Sequence, residues 1–354
     1  MGLYDRLSEL PVHVESYRLD GLSRPAGGAA NWTRRTTVVT LSGGGHEGVG
    51  EDVTWDEELQ IAQQERGPVL PLTGRWTVES LSEALGELDT FHGAEPAFPV
   101  YRGYRRWAFE SAAVDLALRQ AGRPLHEALG REPRPLRFSV SLRLGEPASF
   151  EPVARRLQAY PGIRFKLDAE PHWSDDLIQA LAASGSVDVI DFKGAYKGTV
   201  VDVATDPGLY ARVAAALPDA YLEDPDLEVP EARAALEPHE ERITWDAPIH
   251  SVEDVLARRT LPRVVNSKPS RFGSWRELMR FYDFCAERGI ELYGGGQSEL
   301  GPGRGQIQLL ASLIHPDGPN DVAPPGHDWD DFPSGLPTSP LDPAPEPAGF
   351  RRRA

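Results

Sequence analysis

The chain has 354 residues, 40% of them hydrophobic, and 37 Lys and Arg against 54 Asp and Glu give a net charge of −17. That supplies apolar mass for one large or two smaller cores, and the negative charge repels phosphate backbones and anionic membrane surfaces, since no basic stripe precedes the terminal Arg351-Arg352-Arg353. Cys285, the single cysteine, excludes an internal disulfide or a cysteine metal cluster, and no apolar run approaches the roughly 20 residues of a membrane span, so a cytoplasmic protein with neither nucleic-acid nor membrane partners is expected.

The opening MGLYDRLSELPVHVES lacks a basic region followed by an apolar one, as a leader would need. Residues 11–20 and 35–42 then cluster β-branched residues, and Gly43-Gly44-Gly45 breaks the second run before GVGEDV, which predicts a small antiparallel sheet. GGGHEG formally matches Gly-x-Gly-x-x-Gly but opens no helix, so it is no dinucleotide signal. Residues 77–89 and 107–121 carry helical spacing, with Phe109, Ala113, Leu116 and Ala117 on one face of the second and Gly122-Arg123-Pro124 ending it. Together these elements predict an α+β domain over residues 1–131.

From Leu136 the rhythm changes to short apolar strands: LRFSVSL, IRFKLD, VDVIDFKG, AYLEDPD, RITWDAP, RVVNSKPS and ELYGGG. Helical stretches such as EPVARRLQAY and SDDLIQALAAS lie between them. Alternation of this kind builds a (β/α)8-type barrel or a doubly wound parallel sheet. The charges favour a barrel over residues 132–318, because Lys166 and Asp168, Asp191, Glu223, Asp246 and Lys268 end successive strands, and a parallel barrel gathers its strand C-termini on one face. The irregular, Pro-rich and acidic residues 319–354 are expected to pack back on the first domain.

Three carboxylates ending successive strands, Asp191, Glu223 and Asp246, would repel one another unless a hard divalent cation took their oxygens, and Mg2+ suits such a set. Each alone reads equally as a helix cap or surface charge. Lys166 and Lys268 would flank the ion. A lysine acts as a base only once desolvation or a neighbouring cation lowers its pKa, and the matching reaction is removal of the proton next to a substrate carboxylate. For Lys166 the plain alternative is a salt bridge with Asp168, two residues on and on the same strand face.

The helix WAFESAAVDLALRQAGRPLHEALG, with Glu110 and Asp115, and the segments EGVGED, YLEDP, ITWDAPIHS and VVNSKPSRFGSW resemble the enolase superfamily, in particular its mandelate racemase and muconate lactonizing branch. The likeness runs to about residue 315, and the Lys-Pro-Ser-Arg segment is its most specific part. It implies a modified barrel of (β/α)7β type with the first domain as a cap, one Mg2+ held by Asp191, Glu223 and Asp246, a small carboxylate substrate and a homo-oligomer. A rival register, with LDAEPHWSDD as the third strand and Asp168 as first ligand, leaves strand two missing and VDVIDFKG unplaced.

In that branch strand two carries Lys-x-Lys, so Lys166-Leu167-Asp168 departs from the pattern at the residue that usually serves as base. A carboxylate beside Lys166 should keep it protonated, which makes Lys166 an electrostatic partner and Lys268 the candidate base. Lys193 stands where the family often has Asn, pointing into the site or serving structure. Glu299, in the Gly-rich turn Gly294-Gly295-Gly296-Gln297-Ser298-Glu299, matches a family Glu, and Gln297 with Trp32 and Trp55 of the cap loops are candidates for contacting substrate. Lyase or isomerase chemistry is the leading expectation. A Schiff-base aldolase using Lys268 and a non-catalytic binding scaffold are the alternatives.

Overall fold

A computed structural model describes residues 2–25, 33–199 and 201–353. Strands β1 (Pro11–Val14), β2 (Ser16–Pro25), β3 (Thr33–Gly43) and β4 (His46–Asp52) are followed by α1 (Glu57–Arg66), β5 (Gly74–Thr77), α2 (Val78–Glu87), α3 (Val100–Gln120) and α4 (Leu125–Leu129). β2, β3 and β4 form an antiparallel meander, and β1 pairs with β5. Thr77 starts α2 as a capping box, exchanging hydrogen bonds with Ser80.

The antiparallel sheet lies on α3, whose buried run from Trp107 to Leu118 carries small residues at Ala108, Ala112 and Ala113. Contact is close enough to require glycine. A Cβ on Gly48 would stand 2.2 Å from Ala112 O, and one on Gly50 would stand 2.0 Å from Ala108 O. The Gly-Val-Gly of EGVGED is therefore demanded by packing.

Parallel strands and helices then alternate: β6 (Ser139–Leu142), α5 (Glu151–Ala159), β7 (Arg164–Asp168), α6 (Asp175–Ser184), β8 (Val187–Asp191), α7 (Pro207–Ala216), β9 (Tyr221–Glu223), α8 (Pro230–Leu236), β10 (Ile243–Thr244), α9 (Val252–Leu256), β11 (Val264–Ser267), α10 (Pro269–Phe272), α11 (Trp275–Arg288), β12 (Glu291–Gly294) and α12 (Pro302–Ile314). Helix starts follow local chemistry. Ser174, Asp206, Ser251 and Ser274 cap α6, α7, α9 and α11 with their side-chain oxygens.

The ladder registers as a five-stranded parallel sheet, β6 to β10 in sequence order, and a parallel pair of β11 and β12. An apolar layer between sheet and helices includes Phe165, Leu167, Ile190, Leu222, Ile178 and Val213. The last residues run back along α3: Phe350 N donates to Asp115 Oδ1 at 2.7 Å, and Leu125 N to Gly349 O at 3.0 Å.

Candidate active site

Strand register builds the site. Asp168 pairs with Asp191, Asp191 with Glu223 and Glu223 with Thr244, so Asp168, Asp191 and Glu223 form one row across neighbouring parallel strands. Asp246 follows two residues beyond Thr244, and Lys268 directly follows β11. Val189, Val264 and Tyr293 pack with the partly buried Tyr221 as a separate small cluster next to the row.

Oxygens of Asp191, Glu223 and Asp246 all lie within 4.8 Å of one another, and all three residues are buried. Lys166 Nζ stands 3.2 Å from Asp191 Oδ2 and touches Glu223 Oε1. Glu223 Oε2 accepts from Asn266 Nδ2 at 3.2 Å and from the Tyr293 hydroxyl. On the other side, Lys268 Nζ is 2.9 Å from Asp246 Oδ2, and Arg271 Nη1 donates to Asp246 Oδ1 at 2.7 Å. Tyr196 donates to Asp246 Oδ2 and accepts from Arg271 Nη2, each at 3.0 Å. Lys193 has a left-handed backbone, φ 55°, with its N–H donating to Asp191 Oδ1 at 2.9 Å.

Burial pulls the Lys166 ammonium down, yet Glu223 and Asp191 outweigh it and hold the group well above the ordinary lysine value. Against the cost of burial, Lys193 and Lys166 hold Asp191 below the usual carboxylate range, and Arg271 and Lys268 do the same for Asp246. Glu223 goes the other way: burial, with Asp191 and Asp246 beside it, raises it despite Lys166. Asp224, which accepts from Asp246 N and Ala247 N at 2.8 Å each, is pushed to about 7 by burial and by Asp246 and Asp191. Cations on either side thus hold Asp191 and Asp246 ionised, while crowding falls on Glu223 and Asp224. Three converging hard oxygen donors fit a divalent cation of the Mg2+ kind.

The expected pairing of Lys166 with Asp168 is replaced by another. Lys166 turns to two buried carboxylates, Asp191 and Glu223, while Asp168 Oδ2 accepts from Arg143 Nε at 3.0 Å and its Oδ1 lies 3.1 Å from Lys193 Nζ. Neighbouring strands supply stronger partners than the same strand does.

Glu299, Gln297 and Trp55 form their own cluster. Glu299 Oε1 accepts from Gln297 N at 2.6 Å and its Oε2 lies 3.1 Å from Arg304; Trp55 Nε1 donates to Gln297 Oε1 at 3.1 Å. Buried Arg34 stacks 4.2 Å over the Trp55 ring and donates to the carbonyls of Thr54 and Gln297, at 2.9 and 2.8 Å. Trp32 lies outside the described residues.

Sequence reading assigned no role to Asn266, Arg271, Tyr196, Tyr293 or Asp321, whose Oδ2 is 3.9 Å from Lys166 Nζ. Asn266 and Tyr293 stand on strands whose C-terminal ends carry candidate residues, a signal present in the sequence. Arg271 follows Lys268 within the quoted KPSR. Tyr196 and Asp321 sit in irregular segments, where no period points to a face.

Two family descriptions match the chain: the C-terminal domain of a domain of unknown function, DUF8230, over residues 132–329, and its N-terminal domain over 5–128. The chain is 31% identical over 235 residues to the o-succinylbenzoate synthase of Geobacillus stearothermophilus, an alignment covering 63% of this chain and 60% of that enzyme. With the N-succinylamino acid racemase of an Amycolatopsis species it shares 30% identity over 305 residues, 81% of this chain and 77% of the racemase. The structure of muconate cycloisomerase from Pseudomonas fluorescens superposes with a TM-score of 0.60, covering 88% of this chain and 87% of that one, and at 20% identity it speaks for the fold.

Proposed function

The chain belongs to the enolase superfamily, in its mandelate racemase and muconate lactonizing branch, and carries both DUF8230 domains; from this premise we propose that it is a Mg2+-dependent enzyme removing the proton next to a substrate carboxylate. The observation that carries the reading is the convergence of three buried carboxylates within 4.8 Å, with Lys166 at one end of the row and Lys268 at the other.

In this reading residues 132–318 form a closed (β/α)7β barrel, residues 1–131 its cap, and residues 319–354 a segment packed on the cap. Backbone contacts support closure at both gaps in the ladder: Asn266 N donates to Trp245 O at 3.0 Å, and parallel bridges join Gly295 to Asp321 and Phe138 to Asn320. A cytoplasmic homo-oligomer acting on a small carboxylate completes the proposal.

Asp191, Glu223 and Asp246 would hold the ion, which would place positive charge beside the substrate carboxylate and the charge that develops as the proton leaves. Lys268 takes that proton at Nζ, a role that requires it to give up its 2.9 Å contact with Asp246 Oδ2. Lys166, enclosed by carboxylates and held protonated, is a fixed positive charge facing the substrate. Asp168 and Glu299 complete the catalytic group by holding neighbouring donors in place, and Lys193, Gln297 and Trp55 bound the substrate. With no second lysine on β7, chemistry needing one base, an elimination, ranks ahead of racemisation, which needs a proton-transfer group on each face of the carbon.

Metal analysis followed by α-proton exchange in D2O tests this, starting with N-succinylamino acids and other succinylated carboxylates and extending to acid sugars and aromatic acids. Mg2+-dependent exchange that disappears in Lys268→Ala is expected. Exchange surviving that substitution moves the base elsewhere, borohydride trapping of Lys268 with substrate points to a Schiff base, and no bound metal with no exchange rejects the enzyme.

A further inference from the structure

We propose that the Lys193 ammonium has two positions, on Asp191 and on Asp168, and that Asp168 is the positioning residue that receives it when a divalent cation takes the Asp191 oxygen. The inference rests on the metal reading above and assigns a purpose to the aspartate that breaks the Lys-x-Lys pattern.

One side chain reaches both anchors. Lys193 Nζ lies 2.5 Å from Asp191 Oδ2 and 3.1 Å from Asp168 Oδ1. Its backbone is held where this is possible: the Lys193 N–H donates to Asp191 Oδ1 at 2.9 Å, and Gly194 N donates to Asp224 O at 2.8 Å. The left-handed φ of 55° is strained for a lysine, so the conformation persists because these contacts impose it.

Asp191 Oδ2 already faces two ammonium groups, Lys193 and, at 3.2 Å, Lys166. A divalent cation bound to that atom would repel both from a few ångströms away in a dry site. Lys166 has little room to leave, being fully buried against Glu223. Lys193 has a destination. Asp168 is pinned through Oδ2 by Arg143, while its buried Oδ1 accepts no hydrogen bond among the described residues, the ammonium at 3.1 Å being near enough to pair but not aligned to donate. A buried carboxylate oxygen without a hydrogen bond is costly, and a short swing of Lys193 away from Asp191 supplies one.

Calorimetric titration of the full chain with Mg2+ tests the device in four proteins: unaltered, Asp168→Asn, Lys193→Met and the double variant. Removing the receiver should weaken Mg2+ binding about tenfold when Lys193 is present, and less than about twofold when it is methionine. Equal weakening on both backgrounds, or none on either, overturns the inference, because Asp168 would then act by its charge alone or not at all. Should Asp168→Asn fail to fold, a crystal structure of the unaltered chain with Mg2+ decides: Nζ on Asp168 supports the device, and Nζ still on Asp191 overturns it. An unaltered chain that binds no Mg2+ removes the metal reading and this inference together, whereas binding without coupling removes only the inference.

Discussion

Buried carboxylates occur in both halves of the chain, and they are treated in opposite ways. In the N-terminal half each has donors of its own. Asp115 accepts from Val49 N at 2.9 Å, Phe350 N at 2.7 Å, Arg351 Nε at 2.7 Å and Arg119 Nε at 3.3 Å. Glu110 accepts from Ser82 Oγ, Arg106 Nε and Trp275 N at 2.7 to 3.0 Å. Glu51 gathers the N–H groups of Leu300, Gly301 and Gly303 at the start of α12, fastening β4 to that helix. In the C-terminal half Asp191, Glu223 and Asp246 crowd within 4.8 Å and share Lys166 between two of them. A carboxylate standing alone among its donors joins segments; carboxylates packed within 4.8 Å of one another converge on one point where a cation fits.

Two substitutions break this contrast from opposite ends. Lys268→Ala should lower the rate of α-proton exchange by about a thousandfold, the scale of a lost general base, with a smaller loss in urea unfolding than Asp115→Ala because Arg271 and Tyr196 still hold Asp246. Asp115→Ala should do the reverse. It strands the Val49 and Phe350 N–H groups and leaves Arg351 and Arg119 without their buried partner, a loss of about 3 to 4 kcal/mol measured by denaturant unfolding. Under conditions where the variant is folded, its exchange rate per active molecule should stay within about threefold of the parent, given the independence expected of distant sites. A slow Asp115→Ala enzyme at full stability would sink the distinction between joining and reactive carboxylates.

The same contrast explains what was legible in the sequence. Asp191, Glu223 and Asp246 stand out in the sequence because they close or closely follow short apolar strands, and parallel strand ends converge whatever the side chains are. The α/β rhythm was legible for the same reason, down to β7 and β8, whose ends coincide with Asp168 and Asp191. Partner choice was not. Local spacing put Lys166 beside Asp168, but the pairing is settled across strands, where Lys166 meets Asp191 and Glu223 and Asp168 meets Arg143 and Lys193. Tyr196 and its bond to Asp246 come from the irregular stretch between β8 and α7, which has no period to read. GVGED was visible as a motif, yet its reason, the approach of β4 to α3 at Gly48 and Gly50, depends on a helix some 60 residues away in sequence.

If private partners matter more than location, a titratable group of the C-terminal half with its own partners should behave as a structural one. His315, at the end of α12, provides the case. Its Nδ1 lies 2.7 Å from Asn320 Oδ1, which also accepts from Gly294 N, while Asn320 Nδ2 is taken by the carbonyls of Arg137, His315 and Gly318. Nδ1 is therefore the donor, and the ring is neutral. Burial pulls its pKa from 6.5 to about 4. Between those values the unfolded chain binds the proton and the folded chain does not, so stability present in full above the unfolded pKa drains away as pH falls toward 4 and is lost no further below it. By about pH 5 the expected loss is about 2 kcal/mol. Urea unfolding at neutral pH and at about pH 5 should show the unaltered chain losing that much more than His315→Gln, whose side chain does not titrate. Equal losses in the two proteins would mean that the ring already takes a proton in the folded state, and that Asn320 is not the closed, neutral partner its hydrogen bonds describe.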